Sequence, residues 1–565
     1  MGDKVAQSKQ HALRSRAVAL QSQGQWEAAA QAWVALWRVN PDDDEVLDSA
    51  ATGLIRAGQV EPAMAFLEAA LALRGARPAV LQTLARVATE LRLPEVAVEV
   101  AGLWAQQQPD RPEPFVALAR ALGDAHRHDE AVGVLQQAIP QHPGSVPLWT
   151  VLGTLVSERD GFEAALPFFV EAQRLAPQRA SVWSNLGRAL EHLGRNAEAI
   201  EASEQAVALD PDNPVLRMGL GLLRLGQGQL DTGWSDYAAR LDPRMPGQVQ
   251  YDFDGAPVPS TWSGGEVAGE ALLVVAEQGL GDEVLFGRAL GPLAERVGSL
   301  TVAVDPRLVP AFVRSLPTAR VVPHETLRTG SAVRRRFPSL ADGPRPSRLA
   351  TLGAVAADAW ASVAGVERCG GAYLRPDPSQ LARWSEALVG LGEGLKVGIA
   401  WRSGLLTPNR AHHYASLQDF VPVLAAEGVV GINVQYGDCS DDLARLAARD
   451  PSLLHHFGAL DLRDDIEGVL GLLASLDLVI SPLSSTAQLA AAVGTPCWMF
   501  GYVRPWWMFG EDRVPWAPNA RVYTVDGGSD WSPAVLAMTQ DLRDGALGEG
   551  AWRDLRGTCG ATDEA

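Results

Sequence analysis

Pro177-Gln178-Arg179-Ala180-Ser181-Val182-Trp183 opens a stretch that runs through Gly187, turns at Gly194-Arg195-Asn196, passes Ala199 and closes at Pro211, 34 residues after it began. The spacing recurs upstream. Prolines stand at 41, 109, 143, 177 and 211, and glycine takes the one missing mark, position 75. Ten residues after the marks come Ala51, Ala85, Ala119, Gly153, Gly187 and Gly221. Twenty-two residues after them, counting a virtual mark at 7, come Ala29, Ala63, Ala97, Ala131, Ala165, Ala199 and Gly233. Small side chains in two fixed columns let paired helices approach closely. Leu47, Leu81, Phe115, Trp149 and Trp183, six after the marks, are the bulky knobs expected between them, a column that Arg217 breaks.

A period of 34 with these columns is the tetratricopeptide (TPR) pattern, two antiparallel helices per unit stacked into a solenoid. Seven units are expected over residues 8–245. A turn glycine separates the helices at Gly24, Gly58, Gly194 and Gly228, where a left-handed residue ends the first helix. Arg92, His126 and Asp160 occupy that column in units three to five, so those turns are made differently or carry strain. The concave face of such an array suits an extended segment or the helices of a partner protein. His126-Arg127-His128-Asp129 reads as a charged, solvated turn and not a metal cluster.

The 565 residues leave room for roughly three to four domains. Hydrophobic residues at 47% and charged residues at 20% describe a folding chain. A formal charge of -19 argues against nucleic acid and against an anionic membrane surface as partners. Cys369, Cys439, Cys497 and Cys559 are far apart, with no CxxC pair, and read as reduced thiols. Met1-Gly2-Asp3-Lys4 runs into polar sequence without an apolar segment, and no apolar run is long enough to span a bilayer. The expected location is the cytoplasm.

The helical period stops in the Pro- and Gly-rich stretch 246–268, a linker that Tyr251, Phe253 and Trp262 are expected to pin to the neighbouring C-terminal region. Beyond it, short β-branched runs alternate with helical stretches: Leu272-Leu273-Val274-Val275 and Leu300 to Val304 in one series, Lys396 to Trp401, Gly431 to Gln435, Leu476 to Ser481 and Thr495 to Phe500 in another. Two doubly wound lobes are expected, at 269–390 and 391–550. Ligands of such sheets bind beyond the carboxyl ends of the strands. Three strand ends are candidates there. Glu277-Gln278-Gly279-Leu280-Gly281-Asp282-Glu283 has two glycines and the free amides of a following helix. Trp401-Arg402-Ser403-Gly404 is cationic and hydroxyl-bearing. Ser481-Pro482-Leu483-Ser484-Ser485-Thr486 puts hydroxyls at a helix N-terminus, which serves either as a cap or as an anion site.

The runs Glu277 to Asp282, Val397 to Gly404 and Leu476 to Ser481 resemble bacterial TPR-linked glycosyltransferases of the GT-B fold, relatives of the heptosyltransferases and, more distantly, of O-GlcNAc transferase. Asn433 to Cys439 and Asp461 to Ile466 resemble the subgroup that glycosylates flagellin with a nonulosonic acid such as pseudaminic or legionaminic acid. The resemblance implies a TPR solenoid followed by two Rossmann-like lobes, the first on the acceptor side and the second binding the nucleotide-sugar. It implies metal-independent, inverting transfer from a CMP-linked donor to Ser or Thr of flagellin or another secreted protein held in the TPR groove. No cofactor is implied beyond that co-substrate.

The same resemblance makes Asp282 the general base, with Glu277 orienting the acceptor or sharing the role; Asp282 as a helix cap is the structural alternative. Donor contacts would come from Gly279 and Gly281, from Arg402, Ser403 and Gly404 near phosphate, from Gln435, Tyr436, Gly437 and Asp438 near base or ribose, and from Ser481, Ser484, Ser485 and Thr486 around phosphate or sugar carboxylate. The chain departs from many relatives at Leu483-Ser484 and Gln488, where an Asp-Thr pair and a His are usual. A cleft with fewer carboxylates tolerates an anionic sugar better. The departures also leave open an adaptor with a degenerate transferase region, or an enzyme using a UDP- or ADP-sugar. Asp441-Asp442 and Asp464-Asp465 read as helix N-terminal acids, and Arg504 to Gly510 as an aromatic platform or interface packing.

Overall fold

The computed structural model describes residues 2–253, 258–329, 332–342, 346–403, 414–525 and 530–546. Gly404 and Cys559 lie outside them. Among the described residues, fourteen helices lie between Gly2 and Tyr237, the number that seven two-helix units require. The two small columns are buried throughout. Gly153 shows why the column must be small: a Cβ there would sit 2.8 Å from a ring carbon of Phe169 on the partner helix.

The knob column holds in part: Leu47 and Leu81 are fully buried, as expected. In the later units Phe115, Trp149 and Trp183 are only half-buried, and the residue before each, Pro114, Leu148 or Val182, is the buried one. Trp149 and Trp183 instead lie back along their own units, each indole N–H donating to the carbonyl of the proline that marks the unit, Pro143 at 2.9 Å and Pro177 at 2.8 Å. A large ring with a polar edge satisfies that edge at the rim and leaves the interior to aliphatic side chains.

The turns without glycine resolve in two ways. Arg92 and His126 adopt the left-handed conformation themselves, at φ 57° and 60°. In the fifth unit the helix runs on through Asp160, and Gly161 makes the turn one residue later at φ 89°. The left-handed region crowds Cβ against the carbonyl, so the first two turns carry strain that Gly24 or Gly58 avoids.

The helices Pro214–Gly226 and Leu230–Tyr237 of the seventh unit belong to a second compact body, Leu190–Ala565, distinct from Met1–Ala189. The composition changes at 246–268, but the contacts divide the chain earlier, because the seventh unit packs on the α/β region. Trp234 meets Trp360 at 6.3 Å, Trp506 at 5.9 Å and Phe509 at 6.3 Å, and its indole N–H donates to the Trp360 carbonyl at 3.2 Å. An array's terminal repeat must have its open face covered, and here these aromatics cover it. The Trp506 segment is therefore interface packing.

The first lobe holds a parallel sheet of five strands, β2 (Ser260–Thr261), β3 (Ala271–Val275), β4 (Ser299–Val304), β5 (Arg320–Pro323) and β8 (Arg348–Thr351), ordered β2-β8-β3-β4-β5. Three strands, β1 (Val249–Asp252), β6 (Glu325–Thr329) and β7 (Ala332–Arg336), form a small sheet ordered β1-β7-β6. The linker is thus woven into both sheets, and Tyr251 and Phe253 pack on Phe337. The second lobe holds β9 (Leu395–Ile399), β10 (Val429–Asn433), β11 (Leu454–His455), β12 (Leu478–Pro482), β13 (Cys497–Gly501) and β14 (Ala520–Thr524), all parallel, ordered β11-β10-β9-β12-β13-β14. Central strands such as β3 and β12 are buried along nearly their whole length because helices cover both faces. In the first sheet the chain reverses between β3 and β8, in the second between β9 and β12. In sheets of this kind such switch points, at the carboxyl ends of the strands, are where ligands bind.

Candidate functional site

At the first switch point the chain leaves β3 into Glu277-Gln278-Gly279 and enters the helix Leu280–Gly287. Asp282 sits in its first turn, where its Oδ2 accepts from the Gly279 amide at 3.3 Å. It therefore does cap the helix start, with one carboxylate oxygen. Burial pushes its pKa up to about 6; the Gly279 amide opposes that shift, and the charges of Glu277 and Glu283 add to it. Such a carboxyl is ionised near neutrality yet basic enough to take a proton.

Glu277 is buried beside it and is committed elsewhere. Its Oε1 accepts from Arg240 of the seventh unit at 2.9 Å and from the Gly353 amide after β8 at 3.0 Å, while Oε2 is buried without a hydrogen bond. Its charge is matched by a guanidinium. Glu283 is 2% exposed and accepts from His324 at 3.2 Å and from the Asp305 amide at 2.8 Å, with Arg335 at 3.6 Å. Arg335 in turn donates to the Gln278 carbonyl at 2.6 Å.

In the second lobe the expected donor residues divide into braces and open groups. Gln435, expected near base or ribose, is 1% exposed, and its amide is spent on backbone: Oε1 accepts from the amides of Trp401 at 3.0 Å and Arg402 at 2.9 Å, and Nε2 donates to the Tyr436 carbonyl. It shapes the turn after β9 without facing a ligand. Arg402 points to the loop after β10, donating to the Asp438 carbonyl and lying 3.5 Å from Asp442. Asp438 accepts from the Ser440 amide and hydroxyl just before the helix Ser440–Arg449, and that amide holds its pKa below the usual carboxylate range. Gly437 takes a left-handed φ of 81°. Ser403 and Tyr436 share a hydroxyl contact of 3.3 Å across the two turns.

Ser481, in β12, is fully buried, donates to the Pro482 carbonyl and contacts Ser484 at 3.0 Å. Ser484 caps the helix Ser485–Ala492 by backbone conformation only, without a side-chain bond to its amides. Thr486 and Gln488 are buried, and the Gln488 Oε1 has no hydrogen bond.

These two switch points meet. The helices Leu280–Gly287 and Ser485–Ala492 pack against each other by their first turns, and a Cβ on Gly281 would lie 3.4 Å from Ser485 Cα and 3.6 Å from Ser485 N. A side-chain methyl there would just reach van der Waals contact. Two helix N-termini, each the positive end of a dipole, therefore converge where Asp282 lies.

The structure thus brings together Gly279, Gly281, Asp282, Ser484, Ser485 and Thr486. It sets Arg402, Ser403, Tyr436 and Asp438 around the neighbouring β9 and β10 turns, and turns Glu277, Gln435 and Ser481 into buried supports. Sequence reasoning missed Tyr237, Arg240, Glu283, His324 and Arg335, which carry no local pattern and come together only through the fold. Asp441, Asp442 and Asp465 open helices, as expected of N-terminal acids. Among the described residues, no group of three or more His, Cys, Asp or Glu could hold a metal ion, and no helix is long and apolar enough to cross a membrane.

Residues 150–214 match the tetratricopeptide repeat family. Protein FlbA of Caulobacter vibrioides is 31% identical over 496 residues, covering 86% of this chain and 82% of the relative; a match longer than the repeat array extends well into the α/β region. The general transcriptional corepressor ssn6 of Schizosaccharomyces pombe is 30% identical over 137 residues, 24% of this chain and 12% of that protein. A solved thermophilic TPR protein of Thermus thermophilus is similar over 32% of this chain and all of its own, at 21% identity and a TM-score of 0.30.

Proposed function

Because the chain belongs to the family of protein FlbA of Caulobacter vibrioides, we propose that it serves flagellar biogenesis as a cytoplasmic protein O-glycosyltransferase of the GT-B type. It transfers a nonulosonic acid from a CMP-linked donor to Ser or Thr of flagellin, and the TPR array binds that acceptor. The flagellar setting rests on this membership and on the likeness of Asn433 to Cys439 and Asp461 to Ile466 to flagellin glycosyltransferases. One observation carries the transferase reading: turns from two parallel-sheet lobes converge at their switch points around a carboxyl whose pKa is about 6.

In this reading Asp282 accepts the proton of the Ser or Thr hydroxyl as its oxygen attacks the anomeric carbon. The bond from that carbon to the donor phosphate breaks, and CMP departs with the electron pair, inverting the configuration. The amides opening the helix Ser485–Ala492 stabilise the charge on the leaving phosphate. The test is incubation of the purified chain with flagellin and an authentic CMP-nonulosonate, read by intact mass. A gain of one sugar on Ser or Thr that disappears in Asp282→Asn is expected; no gain with active substrates overturns the proposal.

A second reading has its own support. Glu277, Gln435 and Arg402 are engaged within the protein, as they would be in an adaptor whose transferase region has lost turnover. Modification in cells that persists in Asp282→Ala favours that reading. Thermal shifts with CMP, UDP and ADP separate a CMP-linked donor from UDP- or ADP-sugars, since a ligand that binds only the folded state raises its apparent stability.

A further inference from the structure

The seventh unit does more than cover the α/β region: one of its side chains reaches the candidate base. Tyr237 ends the last solenoid helix, and its hydroxyl meets the side chain of Gln278, the residue before Gly279. The Gln278 amide lies between Tyr237 and Asp282. When its Oε1 accepts from the Tyr237 hydroxyl at 2.8 Å, its Nε2 donates to both Asp282 oxygens, at 3.2 and 3.3 Å. The opposite orientation sets the amide oxygen against the carboxylate, so the ionised form selects the first.

Tyr237 is itself fixed on several sides. The Arg240 guanidinium lies over its ring at 4.3 Å and donates to its carbonyl, and Arg240 is locked by Glu277. Trp234 and Trp506 pack on the ring at 5.6 and 5.5 Å. Burial raises its pKa, so it stays a hydrogen-bond donor throughout the neutral range.

We propose that Tyr237 is a positioning residue for the site, holding the Asp282 carboxylate, through Gln278, in the orientation from which it receives the acceptor proton. The proposal rests on the reading of Asp282 as the base. Its consequence is that the solenoid's last unit is part of the active site, not only a docking arm. The charged groups around Asp282 are accounted for: Glu277 is paired with Arg240, Glu283 is bonded to His324 near Arg335, and the helix Ser485–Ala492 carries no charge. On the remaining neighbouring helix, Leu352–Ala359, Asp358 is paired with Arg296. Tyr237 and Gln278 are the neutral groups left to tune it.

The experiment is a carboxyl ¹³C NMR titration of the full-length protein labelled at aspartate, with Asp282→Asn assigning the resonance. In wild type the midpoint is expected near 6. Tyr237→Phe keeps the ring and its packing but removes the donor that orients Gln278, so the ionised form loses support and the midpoint rises by about one unit. Gln278→Leu gives the same rise, and the double variant gives no more than either alone, because Tyr237 acts only through Gln278. The acidic limb of kcat against pH moves with the NMR midpoint while KM stays unchanged. An unmoved midpoint in both single variants overturns the proposal, even if wild type transfers sugar. A shifted midpoint in a protein that transfers nothing supports the hydrogen-bonded chain and removes only the enzymatic role.

Discussion

The first and seventh helical units share the same small columns and meet different demands. Early units bury them against one another: Trp37 packs edge-on to Phe66 at 4.9 Å, and the ion pairs, such as Arg86 with Asp48, are half-exposed. In the seventh unit Gly221 and Gly233 still let the helices approach, but Trp234, Tyr237 and Arg240 turn to a foreign surface and the ion pair there is buried, with side chains 7% and 5% exposed. A repeat can therefore keep the columns that make it a repeat while its free face becomes part of another domain.

The comparison is broken most severely by cutting the chain. A fragment starting at residue 246 loses Trp234, Tyr237 and Arg240 and leaves Glu277 charged and buried without its partner; it is expected to aggregate. A fragment starting at residue 190 keeps them and is expected to unfold cooperatively, as circular dichroism and calorimetry would report. The ion pairs give the next contrast. Arg240→Met strands a buried carboxylate and is expected to cost about 3–5 kcal/mol, whereas Arg86→Met is expected to cost no more than about 1 kcal/mol. Equal losses by urea unfolding would contradict the contrast.

Asp282 sharpens it through pH. Its folded pKa of about 6 lies above the 3.8 of the free side chain, so the ionised form opposes folding. The penalty is absent below about pH 4, grows between the two values and is complete above about pH 6. Asp282→Asn, which still accepts from the Gly279 amide, is expected to stabilise the protein on the order of 2 kcal/mol at pH 7.5 and hardly at all at pH 4. The smallest effect is in the early units: Arg92→Gly relieves a left-handed side chain and is expected to add about 0.5–1 kcal/mol, against a loss for Gly58→Arg at the equivalent turn.

The solenoid was legible because each column reports a local contact repeated seven times, so Ala29 to Gly233 needed no knowledge of the rest. The knob column held at Leu47 and Leu81 but not at Trp149 and Trp183, which look like core residues by size, while their indole N–H groups need a carbonyl that the core does not offer. The turns Glu277 to Asp282 and Ser484 to Thr486 could be found as helix starts after strands. Their meeting could not, since the closeness of Gly281 to Ser485 joins residues two hundred positions apart. Gln435 was misjudged for a related reason: a polar residue after a strand looks the same in sequence whether its amide faces a ligand or braces two backbone N–H groups.

By itself the sequence determined the seven helical units, the existence of two parallel-sheet lobes and the turns where each lobe exposes helix amides, because periodicity and strand-end chemistry are written in neighbouring residues. Tertiary structure alone decided that the seventh unit belongs with the α/β body, that Arg240 neutralises Glu277, and that Tyr237 reaches Asp282 through Gln278. Those outcomes depend on which buried polar groups find partners once distant segments are packed, and burial is a property of the folded whole.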